Sequence, residues 1–149
     1  MPDSLERARG NLSYLPHVEV IAGDGGEIDP GPSDATLINA GATHLHPVWL
    51  DTLRLAGRLL VPLTAAEEAN DPQWGRVLKV AHQPRGFFAH FISEVGIFPC
   101  SGARDPELND KLNEVTGNRF SRSAGTHTNP LILAGSTLKT FACQSWRYH

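Results

Sequence analysis

Residues 18–63 predict an α/β fold built on a parallel sheet, and three observations carry that reading. Val18-Glu19-Val20-Ile21-Ala22 is a β-branched run that stops at Gly23-Asp24-Gly25-Gly26. Ala35-Thr36-Leu37-Ile38-Asn39 is apolar on both faces, as suits a parallel strand covered by helices on either side. Arg58-Leu59-Leu60-Val61-Pro62-Leu63 supplies a third strand, reached through a helix. Strand, loop, strand, helix, strand is the alternation of an α/β layer architecture.

The elements follow in order along the chain. Leu5, Ala8 and Leu12 fall on one face of a helix over 5–12, with Ser4 at its cap position. Pro16 marks the link to the first strand, and Asp29-Pro30-Gly31-Pro32-Ser33 is a loop. Pro47 suits the first turn of a helix, where its missing N–H costs nothing. Trp49, Leu50 and Leu53 give that helix an apolar face, and Gly57 is the residue expected to end it in a left-handed conformation. Beyond residue 63 the pattern changes. Val77–Ala81 and Phe87–Ile92 flank Gln83-Pro84-Arg85-Gly86, a combination that favours a tight reversal and an antiparallel hairpin. Val95, Ile97 and Phe98 extend the second arm or begin another strand. Asp105-Pro106 opens a helix with an N-cap and a proline at its first position; Leu108, Leu112 and Val115 form its apolar face and Gly117 ends it. Residues 117–130 are polar and read as a loop, and 131–134 and 140–143 read as short strands. The whole chain, 1–149, reads as a single domain.

The net charge of -3 over 149 residues gives no basic face for nucleic acid. No apolar run approaches the length of a membrane span, and the first residues carry no apolar core of a secretory signal, so a cytoplasmic protein is expected. Cys100 and Cys143 are too few and too far apart for a disulfide framework, and no paired histidine marks either as a nucleophile.

Three segments taken in order resemble the protein-L-isoaspartate O-methyltransferases. They are Val18-Glu19-Val20-Ile21-Ala22-Gly23-Asp24-Gly25, then Ser33 to Ala42, then Leu50 to Pro62 with its Gly57-Arg58-Leu59-Leu60-Val61-Pro62 close. Val95-Gly96-Ile97-Phe98-Pro99 is similar to a closing strand of that family. The resemblance covers roughly residues 4–102, with Ala56 standing where the family usually has glycine; residues 103–149, a helix and a tail, match nothing in it. It implies a Rossmann-like methyltransferase sheet, incomplete, with an antiparallel C-terminal hairpin. It also implies S-adenosylmethionine as cofactor and a protein or small-molecule methyl acceptor. Methyl transfer is an in-line displacement that depends on holding donor and acceptor in line. The resemblance places cofactor contacts at the strand ends: Asp24, whose carboxylate would accept from the adenine amino group, Gly25, Asn39 and Ala40.

The family's glycine-rich loop and ribose-binding acid precede the part matched here. No G-x-G-x-x-G follows any strand of this chain, and no catalytic residue carries over. In the family's sheet order the first two strands lie between Val18–Ala22 and Ala35–Asn39. Without them the second of these strands shows an unpaired apolar edge. Three arrangements answer that: a longer parent chain, a partner or second copy supplying strands, or the two flanking strands closing on each other. A remnant of the fold acting as an interaction or oligomerisation module is the alternative to an enzyme.

Other residues have two readings each. His44 and His46 line the mouth of the site or start the helix; as metal ligands they lack a third partner at ligand spacing. Asn39 and Thr43 face the reacting atoms, or cap the strand and the helix. Asp105, Glu107 and Asp110 are a charge pattern suited to a helix start. Phe87, Phe88, Phe91 and Phe98 are core or interface at strand spacing, or a substrate platform.

Overall fold

The computed structural model describes residues 4–65, 73–100, 102–117 and 131–133. Eight elements follow one another: α1 (Ser4–Leu12), β1 (Ser33–Leu37), α2 (Pro47–Asp51), β2 (Leu53–Thr64), β3 (Gln73–Gln83), β4 (Gly86–Ile97), α3 (Pro106–Gly117) and β5 (Leu131–Leu133). The strands form one mixed sheet in the order β1-β2-β3-β4-β5. β1 runs parallel to β2, and the remaining pairs are antiparallel.

One face of the sheet holds the core. Thr36 pairs with Leu59, Leu59 with Val80, and Val80 with Ala89, and all four are buried. Side chains alternate along a strand, so this row and its neighbours Val61, Leu78 and Phe87 point to one side. Trp49 and Leu50 of α2 and Leu53 at the start of β2 belong to the same cluster. Leu37 of β1, by contrast, is 59% exposed, so β1 is not covered on both faces among the described residues.

The hairpin forms as the Pro84-Arg85 reversal requires: Gln83 pairs with Gly86, leaving a two-residue turn. β4 continues to Ile97 and carries a bulge opposite Val77/Leu78. α1 presents Leu5, Ala8 and Leu12 as its less exposed side. α3 is capped by Asp105, whose Oδ1 accepts from the N–H groups of Glu107 (2.9 Å) and Leu108 (3.2 Å).

Three expectations are corrected. Val18–Ala22 is not a strand; Val18 and Ile21 are 37% and 49% exposed, and the run pairs with no described strand. A β-branched run becomes a strand only when a neighbour takes up its N–H and C=O groups, and β1 does not close against it. The helix that opens at Pro47 ends at Asp51, and the left-handed residue after it is Ala56, with φ 69°, rather than Gly57. Gly57 instead lies buried in β2, where a Cβ would sit 2.7 Å from the Arg54 carbonyl oxygen. Residues 118–130, 140–143 and Cys143 lie outside the described residues. No described helix is long and apolar enough to cross a membrane.

Candidate functional site

Asp24 opens a tight turn. Its Oδ1 accepts from the Gly26 N–H at 2.8 Å, and its carbonyl accepts from Glu27 and Ile28 at 3.0 and 3.1 Å. That is the local bonding expected of an aspartate beside glycines. The turn is not adrift, although the run before it forms no strand. Trp49 is fully buried, and its indole Nε1–H donates to the Gly25 carbonyl at 2.7 Å. The first turn of α2 therefore fixes Gly25, and the half-buried Asp24 carboxylate is set beside it.

The second component is the carboxyl end of β1. Ile38 N–H still bonds to β2, at the Leu60 carbonyl (2.9 Å). Asn39 is then exposed and Ala40 buried. Gly41 and Ala42 continue as bridges to Pro99 and Leu63. Thr43 is buried and occupied: its Oγ1 accepts from the Asp105 N–H at 2.8 Å and lies 3.1 Å from His44 Nδ1. It caps neither α2 nor an open site, since its hydroxyl ties the β1 end to the start of α3.

Residues 98–100 and 102–104 join the two components; sequence reasoning read Phe98 and Pro99 as part of a closing strand and assigned 102–104 no role at the site. Gly41 N–H donates to the Phe98 carbonyl, Cys100 N–H to the Gly41 carbonyl, both at 2.8 Å, and Thr43 N–H to the Ala103 carbonyl at 3.1 Å. Gly102 packs on Asp24 so closely that a Cβ there would collide with the carboxylate. Arg104 reaches back over the same end. Its guanidinium donates to the carbonyls of Gly41 (3.3 Å) and Thr64 (3.0 Å), to Thr64 Oγ1 (3.1 Å) and to Asn109 Oδ1 (2.7 Å). Burial lowers its pKa, against an opposing pull from Cys100, and an arginine so placed stays charged. Gly102-Ala103-Arg104 has no motif; only its position between two strand ends reveals it.

The two histidines stand at the α2 side. Their rings are 6.1 Å apart, and His46 lies 5.9 Å from the Trp49 ring. The pKa of His44 is lowered by burial and by His46, and raised in part by Asp105. Among the described residues no three His, Cys, Asp or Glu side chains gather as a metal site. Phe87 is buried and stacks on His82 at 4.5 Å, while Phe91 lies under Arg76 at 5.0 Å; these two rings serve packing. Phe88 is half-buried and Phe98 is 44% exposed. Glu107 and Asp110 are exposed on α3.

The arrangement brings Asp24 and Gly25 to α2, and Asn39 and Ala40 to the strand end next door, with residues 98–100 and 102–104 between them. In open α/β sheets ligands bind beyond the carboxyl ends of the strands. Asn39 and Ala40 follow such an end, that of β1, whereas Asp24 and Gly25 follow no strand and are held through the Trp49 bond to Gly25.

No protein-family model matches the chain. A protein-L-isoaspartate O-methyltransferase of Dechloromonas aromatica (strain RCB) is 28% identical over 99 residues, which is 64% of this chain and 43% of that protein. Among solved structures, the Plasmodium falciparum protein assigned as a protein-L-isoaspartate O-methyltransferase, in complex with S-adenosyl-L-homocysteine, aligns with a TM-score of 0.46 and 19% identity. That alignment covers 64% of this chain and 45% of that one. The chain thus spans less than half the length of the proteins it matches, and over the aligned 99 residues it is similar to the Dechloromonas aromatica protein.

Proposed function

We propose that this chain forms the adenine-side part of an S-adenosylmethionine-dependent methyltransferase, of the isoaspartate carboxyl type or a relative, acting on a protein or small-molecule acceptor in the cytoplasm. The observation that carries the reading is the Asp24-Gly25-Gly26 turn, with its carboxylate half-buried and its Gly25 carbonyl fixed by Trp49. The residues present fit the adenine end of the cofactor. Asp24 Oδ1 takes one hydrogen bond from Gly26, and a carboxylate has further lone pairs for an amino group. Gly25 brings main chain close without a side chain, and Asn39 and Ala40 border the same end of the sheet. When bound, the cofactor supplies an electrophilic methyl group. The chain's contribution is to hold the adenosyl moiety so that the sulfonium lies in line with the acceptor.

The exposed Leu37 on the open edge of β1 favours a second reading, a non-catalytic module of this fold that binds a partner or a second copy through that edge. Calorimetry with S-adenosylhomocysteine separates the two. Micromolar binding by the chain, weakened at least about tenfold in Asp24→Ala, is the expected result, since a charged hydrogen bond contributes about 1.5–3 kcal/mol. Absence of binding by the wild-type chain would leave only the module reading.

A further inference from the structure

His46 is the first residue before α2, yet its side chain makes no capping bond there. Its Nδ1 is buried and has no hydrogen-bond partner among the described residues. A buried N–H without an acceptor is rarer in folded proteins than an under-used acceptor. The tautomer that leaves Nδ1 bare and carries the proton on Nε2 is therefore the less costly one, and in it Nε2 is a donor. That edge of the ring lies against Gly26. The position a Cβ would take on Gly26 is 3.4 Å from His46 Nε2, 3.2 Å from His46 Cδ2 and 3.3 Å from Asp24 Oδ1. A donor and an anionic acceptor thus flank one residue, and neither side chain is fully buried. The Trp49 ring lies 5.9 Å from the imidazole, tilted against it, and its indole N–H fixes Gly25 at the same time.

An edge that offers one donor and one acceptor in that order matches adenine, whose exocyclic amino group donates and whose adjacent ring nitrogen accepts. A 6-oxo purine presents an acceptor where Asp24 also accepts. We propose that His46 donates from Nε2 to the purine ring nitrogen while Asp24 accepts from the amino group, so that the pair reads adenine in the adenosyl ligand. The proposal rests on the cofactor reading above and adds to it a residue outside the motif that suggested it.

The test is calorimetry on the intact chain with S-adenosylhomocysteine and with S-inosylhomocysteine, comparing wild type, His46→Ala and His46→Gln. Wild type should prefer the adenosyl ligand by roughly tenfold or more, a hydrogen bond's worth of discrimination. His46→Ala should weaken adenosyl binding roughly five- to tenfold and narrow the preference, whereas His46→Gln, which keeps a neutral donor, should restore most of both. In nitrogen-15 spectra the His46 Nε2 resonance should move on addition of S-adenosylhomocysteine. Unchanged binding in His46→Ala, or equal weakening of both ligands without rescue by glutamine, would overturn the proposal and leave the cofactor reading intact. Failure of the wild-type chain to bind S-adenosylhomocysteine would overturn the cofactor reading and this proposal with it.

Discussion

Ala56 holds φ 69° in an exposed stretch of β2, a region in which an L-residue pays about 1–2 kcal/mol and glycine does not. Ala56→Gly should therefore stabilise the fold by about 0.5–1 kcal/mol, net of glycine's greater freedom in the unfolded chain. Urea unfolding checks it. The sequence marked this position, since the resemblance puts glycine there, but helix-ending logic assigned the left-handed conformation to Gly57. The difference is physical: the helix stops at Asp51, so the chain turns before Gly57, and Gly57 is needed for its close approach to Arg54. His44 gives a second prediction. Its pKa in the folded chain lies below the ordinary 6.5, through burial and His46 and despite Asp105. Between the folded value and 6.5 the unfolded chain binds more protons, so this contribution to stability is complete above 6.5 and is lost as pH falls through the folded value. Unfolding midpoints at pH 7.5 and pH 5 should differ less in His44→Gln than in wild type.

Among elements, α3 is held to the sheet by few but well-placed bonds: Asp105 N–H to Thr43, and Arg104 to Gly41, Thr64 and Asn109. Arg104→Ala removes a charged donor from several partly buried oxygens and should cost about 2–3 kcal/mol. Loss of ellipticity at a lower urea concentration is the readout. The hairpin was legible because its signal is local: Pro84 and Gly86 make the reversal and the apolar runs beside them make the arms. The cap at Asp105 was legible for the same reason. Val18–Ala22 was not, because its composition says that it suits a strand while only a neighbouring strand can make it one. At the site, the Asp24 turn was readable from Gly-Asp-Gly. Its brace, Trp49 to Gly25, spans 24 residues, and Gly102 meets Asp24 from still farther along the chain; no spacing rule encodes either.

For the whole molecule the decisive feature is the β1 edge of the sheet, which pairs with no further strand among the described residues and where Leu37 is exposed. Unpaired edges with exposed apolar side chains promote association, and a charge at the edge suppresses it. Sedimentation should show concentration-dependent self-association of the wild-type chain that Leu37→Lys reduces. The α/β class of residues 33–63 and the antiparallel second half were both readable from periodicity, but the edge followed only from the implied sheet order. That order has a kinetic consequence. Each strand pairs with the strand next to it in sequence, so the sheet can assemble by zippering outward from the β3–β4 hairpin, whose closure takes on the order of microseconds. The parallel β1–β2 pair, which must close across α2 and a loop, would join last and open first. In hydrogen exchange, amides of β3 should be the slowest to exchange and those of β1 the fastest within the sheet, so the carboxyl end of β1 that borders the proposed ligand site would be the least protected part of it.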